Sequence, residues 1–320
     1  MAGVAWTTTS NPFELTNLLL GVEYACLILG FLTAHEFGHY FAAKYHKVPC
    51  TLPYYIPFPI TPLFPISFGT MGAVIRVRGA IPNTKALFDI GASGPLAGFV
   101  VCYIILAVGL ATLPDISYIQ QFHPEYVAGA EPPEGGLVFG NNLFWISSVA
   151  LFADTNGYLP PLHEIYHYPW LNVGWFGLFV TALNMLPLGQ LDGGHILFSM
   201  IGKRQWSVSK VFWWLLIIIG FSSILDTILQ FLSSYNAEEQ LTGLLRSIYK
   251  ALDQMKTEYP ILFMGWGGWL FWAVLARFVT GIKHPPVPVV KLGVLRIILG
   301  ILTFLIFIMA FSPRGIYFSM

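Results

Sequence analysis

Long apolar stretches alternate with shorter polar segments along most of the chain. Six of these stretches approach the ~20 residues that a helix needs to cross a bilayer. They are Leu15 to Ala34, Ile90 to Leu113, Leu171 to Leu188, Val211 to Leu232, Ile261 to Gly281 and Leu292 to Phe311. The pattern predicts an all-α polytopic membrane protein with about six transmembrane helices.

Two connecting segments have patterns of their own. Residues 68–78 follow a proline-rich stretch and are predicted to be extended, as a small membrane-associated β-strand or hairpin. Residues 234–258 are predicted to form an amphipathic helix that lies at the membrane surface. The apolar stripe of that helix consists of Leu241, Leu244, Leu245, Ile248 and Leu252.

Composition agrees with a membrane protein. The chain is 56% hydrophobic and only 10% charged, whereas a soluble domain has about 25% charged residues. Its formal net charge of zero provides no field that would attract nucleic acid. The 3 cysteines do not make a disulfide framework. Residues 1–14 lack a basic region, so we expect no cleavable signal peptide there.

Basic residues predict the orientation of the spans. Twelve of the 16 Lys and Arg residues fall in or beside the first, third and fifth loops, whereas residues 1–43 and 86–202 contain none. Because basic loops stay on the cytoplasmic side of a membrane, these three loops are predicted to lie inside and both termini outside.

The segment His35-Glu36-Phe-Gly-His39 fits the pattern H-E-x-x-H. On a helix, the two histidines lie one turn apart on the same face and can bind one Zn²⁺ ion. Glu36 then stands beside the ion as a candidate general base. Three ionisable groups within five residues at the end of an apolar span are costly unless they have partners, which favours a functional site.

A catalytic zinc ion usually has three protein ligands and one water molecule. The best third candidate is Asp192, at the predicted inner end of the third span, after Pro187 and Gly189 interrupt the apolar run. The two clusters would then share one depth in the membrane. His195 is an alternative third ligand, and Asp192 could instead cap a helix.

A second segment, His163-Glu164-Ile-Tyr-His167, fits the same pattern. It lies between Pro161 and Pro169, which leaves little room for a helix. It is also predicted at the outer end of the third span, far from Asp192. We therefore interpret it mainly as part of a polar outer loop.

Several motifs together resemble the site-2 protease family of intramembrane zinc metalloproteases. The resemblance extends from about residue 20 to residue 312. The motifs that carry it are His35-Glu-Phe-Gly-His39, Phe68-Gly-Thr-Met-Gly-Ala, Gly94-Pro-Leu-Ala-Gly98, Asn184-Met-Leu-Pro-Leu-Gly-Gln-Leu-Asp192-Gly-Gly-His195 and Gly281-Ile-Lys-His284-Pro-Pro.

The resemblance implies a zinc-dependent endopeptidase that cleaves membrane-spanning substrates. It implies one Zn²⁺ ion on His35, His39 and Asp192, with Glu36 as the base. Asn184 would hydrogen-bond the backbone of the substrate. The expected partners are the lipid bilayer and single-span membrane proteins as substrates, with or without an earlier cleavage by another protease. No nucleic acid is expected as a partner. The expected location is a bacterial cytoplasmic membrane, with the site near its cytoplasmic side.

The strand at 68–78 offers unpaired backbone groups to which an extended substrate could add. Gly69, Thr70 and Gly72 are its candidate substrate-binding residues. We predict a single membrane domain over residues 1–320. Within it, residues 15–200 form the catalytic core, and residues 201–320 form accessory spans with the amphipathic insertion at 234–258.

Two other functions remain open on the sequence. A metal-binding membrane transporter could use the other ionisable residues in or near the spans, which are Glu23, Asp226 and Arg277. A non-catalytic binding protein could hold a closed structural zinc site, for which His195 is the obvious fourth ligand.

Overall fold

The computed structural model describes residues 1–58, 67–124, 126, 136–154, 157–237 and 242–318, and side chains are not described for residues 236 and 237. The described part is mostly helical, with two small antiparallel hairpins. Its α-helices are α1 (Ala2–Thr7), α2 (Val22–Tyr45), α3 (Thr84–Ala111), α4 (Leu143–Phe152), α5 (Pro169–Asn184), α6 (Asp192–Ile201), α7 (Gln205–Ala237), α8 (Gly243–Glu258), α9 (Gly268–Leu275) and α10 (Val294–Ala310). Its strands are β1 (Tyr54–Phe58), β2 (Gly69–Val74), β3 (Leu137–Phe139) and β4 (Ile316–Phe318).

Helices α2, α3 and α5 pack against one another and form the centre of the molecule. Phe31 from α2, Leu106 from α3 and Trp175 from α5 are completely buried where these helices meet. The indole N–H of Trp175 donates a hydrogen bond of 2.9 Å to the carbonyl oxygen of Gly140. Helix α6 packs on α3, so the sequence after α5 returns to the same central helix.

Three helical stretches of the described chain are long and apolar enough to cross a membrane, namely Leu15–Tyr45, Thr84–Ala111 and Asp192–Tyr235. They overlap the first, second and fourth predicted spans. The predicted third span, Leu171 to Leu188, is helical only as far as Asn184, where the 16-residue helix α5 ends. Its end is a turn because Pro187 cannot continue a helix.

The fifth and sixth predicted spans are shorter helices in the structure. The fifth is divided between a 3₁₀ turn at Pro260–Phe263, the helix α9 and a π-helical turn at Ala276–Thr280. The sixth corresponds to α10, which has 17 residues. The described chain thus contains helices at all six predicted positions, but only three of the stretches reach membrane length.

The extended segment predicted at 68–78 contains a strand. Strand β2 pairs antiparallel with β1, and Tyr54 lies opposite Val74 and Phe58 opposite Gly69. The register shifts between Tyr55 and Pro57, as expected where a proline lacks a backbone donor. The proline-rich residues 59–66 lie outside the described residues.

The amphipathic helix begins later than predicted. Helix α7 continues to Ala237, so residues 234–237 belong to the preceding apolar helix. Helix α8 covers Gly243–Glu258, and the side chains of Leu244, Leu245 and Ile248 are exposed along it. Leu241, which the predicted stripe also includes, lies outside the described residues.

Candidate metal centre

Helix α2 brings the first H-E-x-x-H segment into the interior. His35 and His39 lie one turn apart and are 4% and 7% exposed, and Glu36 between them is 7% exposed. The Nε2 atoms of the two histidines are 3.1 Å apart, with their rings in an edge-to-face arrangement. This is the shared face that the spacing predicts.

Asp192 completes a triad with these two histidines. Its Oδ2 atom lies 3.5 Å from Nε2 of His35 and 3.3 Å from Nε2 of His39. Donor atoms that bind one zinc ion tetrahedrally, at about 2.0–2.2 Å, lie about 3.3–3.6 Å from one another. The three side chains therefore fit a single ion that binds all of them.

The turn between α5 and α6 places Asp192. Residues 280–282 support that turn, since the N–H of Gly189 donates to the carbonyl oxygen of Ile282 at 3.1 Å and the N–H of Gln190 to that of Thr280 at 3.3 Å. Leu191 is the N-cap residue of α6, and Asp192 begins the first turn without capping the helix. Its carboxylate is thereby directed toward the histidines.

The backbone of α3 orients one ligand. Nδ1 of His39 donates a hydrogen bond of 2.7 Å to the carbonyl oxygen of Ile90, which leaves the lone pair of Nε2 for an ion. Gly94 lies directly against this ring, and a Cβ atom added there would be 2.1 Å from Nε2 of His39. Small residues four apart, as in Gly94 and Gly98, are typical of close helix contacts in membranes, and this spacing is the sequence signal for the contact.

The substitution Gly94→Ala is expected to displace the His39 ring and weaken metal binding. Overpacking typically costs about 1–3 kcal/mol, so zinc affinity and any zinc-dependent activity should fall by roughly 10- to 100-fold. Gly30→Ala is the matched control, because a Cβ atom at Gly30 in α2 would meet nothing within 4 Å. Zinc titration of both purified variants tests this, and equal affinities would contradict the role of Gly94.

His195, the alternative third ligand, does not join the triad. Its Nδ1 atom lies 2.7 Å from Nε2 of His284 in a hydrogen bond between the two imidazoles. His284 is buried and its ring stacks on Phe198. Its backbone N–H donates a hydrogen bond of 3.2 Å to the side-chain oxygen of Gln205. The His-Pro-Pro motif thus holds His195 beside the metal centre rather than in it.

Glu36 and Asn184 border the same cavity as the triad. The cavity has a volume of about 330 Å³. Asn184 is the last residue of α5, and its side-chain nitrogen is 3.5 Å from Nε2 of His35. Glu36 faces the backbone of Ile75, just beyond β2. A carboxyl group and an amide group therefore stand at the edge of the metal centre, outside the triad of ligands.

The predicted substrate-binding residues of β2 lie farther along the hairpin. Gly69, Thr70 and Gly72 are not among the residues that line the cavity, whereas residues 73–75 are. The hydroxyl of Thr70 donates within the hairpin, to the carbonyl oxygen of Ile56 at 3.0 Å. The strand does reach the metal centre, but through its C-terminal end rather than through the three predicted residues.

The acids of the transporter hypothesis have partners elsewhere. The carboxylate of Glu23 accepts a hydrogen bond of 2.7 Å from the indole N–H of Trp170. Asp226 forms an ion pair of 2.7 Å with Lys256. Neither acid belongs to a group of metal-binding side chains in the described part of the chain.

The second H-E-x-x-H segment is not an α-helix. Ile165–His167 is a single 3₁₀ turn, so His163 and His167 do not form the pair that the pattern would give on a helix. Instead, His167 and Glu164 meet His123 from another part of the chain.

Comparison with known proteins extends these observations. The sequence model of peptidase family M50 matches residues 23–226, which contain the whole triad. The chain is 34% identical over 180 residues to "Probable zinc metalloprotease EGY1, chloroplastic" of Arabidopsis thaliana, covering 55% of this chain and 29% of that protein. It is 32% identical over 201 residues to the protein of the same name in Oryza sativa subsp. japonica, covering 61% and 31%.

A shorter match involves a protein with a different name. The chain is 32% identical over 142 residues to "DDT domain-containing protein PTM" of Arabidopsis thaliana, covering 43% of this chain and 8% of that protein. The chain spans less than a third of the length of the two metalloproteases named above. No solved structure matches.

Proposed function

Because this chain belongs to peptidase family M50, a family of zinc metalloproteases, we propose that it is a zinc-dependent endopeptidase that hydrolyses peptide bonds of membrane-spanning substrates. The observation that carries the proposal is the buried triad of His35, His39 and Asp192 beside Glu36, at the edge of a cavity that a strand also borders. We assign His35, His39 and Asp192 as the zinc ligands and Glu36 as the catalytic residue.

Zinc bound to the triad would polarise the scissile carbonyl and lower the pKa of a water molecule beside it. The Glu36 carboxylate accepts a proton from the attacking water and then delivers it to the nitrogen of the leaving amine. Because Glu36 lies one residue from His35 on a rigid helix, this proton transfer takes place next to the ligands.

The substrate is proposed to bind as an extended strand beside β2. A helical substrate hides its carbonyl groups in its own hydrogen bonds, so a cleavable segment must first unwind. Backbone pairing with the end of β2 near residues 73–75 would hold it beside the triad. Asn184 would then hydrogen-bond the backbone of the substrate, and the open surroundings of Gly72 leave room along the strand.

We further propose that the chain crosses the membrane about six times, with the basic loops and the metal centre near the cytoplasmic side. Exposed apolar side chains, such as Trp214, Ile218 and Phe221 on α7, support a surface that faces lipid. The placement in a bacterial cytoplasmic membrane stays a prediction from the resemblance, while the two metalloproteases named above carry the designation chloroplastic. Single-span membrane proteins, with or without an earlier cleavage, are the proposed substrates.

Removal of the metal tests the proposal directly. The purified chain in lipid vesicles should cleave a single-span reporter. Treatment with a strong chelator should reduce cleavage at least 100-fold, because cleavage requires a metal ion on the triad and the chelator removes it. Added Zn²⁺ should restore cleavage. A reporter with a stabilised helix in its span is the control and should be cleaved more slowly. Cleavage that survives complete removal of the metal would contradict a metalloprotease.

A further inference from the structure

A second group of metal-binding side chains lies at the other end of α5. His123 comes from the segment after α3, and Glu164 and His167 come from the segment before α5. Each of these residues offers one donor atom, and the three atoms lie within 4.8 Å of one another. Glu164 and His167 are buried, and His123 is partly exposed.

The distances in this group match those of the first triad. The Nε2 atoms of His123 and His167 are 3.2 Å apart. Oε2 of Glu164 lies 3.6 Å from Nε2 of His123 and 3.7 Å from Nε2 of His167. These separations are close to the ~3.3–3.6 Å expected between donor atoms of one tetrahedral zinc ion.

His167 is oriented as a metal ligand would be. Its Nδ1 atom donates a hydrogen bond of 3.1 Å to the carbonyl oxygen of Trp6 in α1, so Nε2 keeps its lone pair and faces the group. The ring of Phe122 stacks on the imidazole with centroids 4.2 Å apart. The hydroxyl of Tyr118 donates to the backbone oxygen of His167 at 2.9 Å. The orientation of the His167 ring is thus held by the stacked Phe122 ring and by the hydrogen bond at Nδ1, and its backbone is held by Tyr118.

The location separates this group from the first triad. Helix α5 begins two residues after His167 and ends at Asn184, beside the first triad. Its 16 residues span about 24 Å at a rise of about 1.5 Å per residue. One ion cannot serve both groups.

We propose that His123, Glu164 and His167 form a second binding site, for a divalent transition-metal ion such as Zn²⁺. Two imidazoles and one carboxylate favour this class of ion over Mg²⁺ or Ca²⁺, which prefer oxygen ligands. The side chain of His123 is 33% exposed and gives the ion a path to the site. A bound ion ties the segment after α3 to the segment before α5, and the hydrogen bond to Trp6 connects both to the N-terminal helix.

This site is independent of proteolysis, since none of its residues borders the cavity of the first triad. Its expected effect is on stability, because an ion that binds only the folded chain raises the temperature of unfolding. On a regular helix, the H-E-x-x-H pattern would pair His163 with His167, whereas the proposed site contains His123 in place of His163.

Counting metal ions per chain tests the proposal. The wild-type chain in detergent, loaded with Zn²⁺ and washed, should hold two ions by elemental mass spectrometry. Asp192→Asn should hold one, and the double variant His123→Ala/His167→Ala should also hold one. His163→Ala is the matched control from the same segment and should hold two. A wild-type chain with one ion together with Asp192→Asn with none would overturn the proposal, and so would a double variant that still holds two.

A second measurement does not depend on whether the double variant folds. The Asp192→Asn chain, whose second group is intact, should bind Co²⁺ with the strong visible absorption of a tetrahedral site. The absence of that absorption in a folded chain would overturn the proposal. The reporter assay distinguishes this proposal from the proposed protease function. A double variant that lacks the second ion but still cleaves the reporter supports the second site. A wild-type chain that holds both ions but does not cleave the reporter contradicts only the protease function.

Discussion

Replacing Glu36 with Gln is expected to reduce reporter cleavage by roughly 10²- to 10⁴-fold while zinc stays bound, since general acid–base catalysis contributes about that much. Gln has nearly the same shape as Glu, so it can occupy the same position beside Ile75 and the cavity. It cannot accept a proton at neutral pH. Because Glu36 is not one of the triad atoms, the metal content of the Glu36→Gln chain should equal that of the wild type.

The matched control for this substitution lies on the same helical stretch. Glu23→Gln makes the same chemical change at the start of α2, where the side-chain oxygen accepts a hydrogen bond from Trp170. A Gln side chain keeps that acceptor, so cleavage should remain close to wild type. If Glu36→Gln retained more than about a tenth of the wild-type rate with full zinc, Glu36 would not be the base.

Replacing Asp192 with Asn should remove both the metal and the activity. Asn keeps the size of the side chain but loses the charge that binds the ion, and Asn is not a usual zinc ligand. Loss of partners that only support a ligand already costs about 10- to 100-fold in affinity. We therefore expect zinc affinity at this site to fall by more than about 100-fold, measured by competition with a chelator of known affinity, and cleavage to fall to background.

Asp226→Asn is the comparison for Asp192→Asn. It changes a carboxylate of the same long helical stretch, one that pairs with Lys256 at 2.7 Å and lies away from the triad. It should leave zinc affinity unchanged. Wild-type zinc affinity in Asp192→Asn would exclude the carboxylate as a ligand, and the proposed mechanism would then lose its third ligand.

Much of the candidate site follows from local sequence. The spacing of His35 and His39 places both on one helical face whatever the rest of the chain does, because a turn of helix has about 3.6 residues. The extended pattern at 68–78 likewise predicted the strand β2. The apolar stretches predicted the positions of the main helices, since a membrane-length apolar run has few other stable conformations.

The third ligand depended on the tertiary structure. Asp192 and His195 are three residues apart, and both are candidate metal ligands on the sequence alone. The loop at 280–282 holds the turn before α6 by backbone hydrogen bonds, and His284 in the same region binds His195. Contacts between segments so distant in sequence cannot be inferred from the spacing within either segment.

The same limit applies to helix length and to the second pattern match. Helix α5 lies at the centre of the bundle, where packing against α2 and α3 stabilises a helix shorter than a membrane span. Two copies of H-E-x-x-H occur in this chain, and sequence alone determined that each brings two imidazoles and a carboxylate into a short segment. Only the tertiary structure decided which side chains meet. The first copy lies in the regular helix α2, so its two histidines share one face. The second copy lies between prolines and forms only a short 3₁₀ turn, and its Glu164 and His167 lie beside His123.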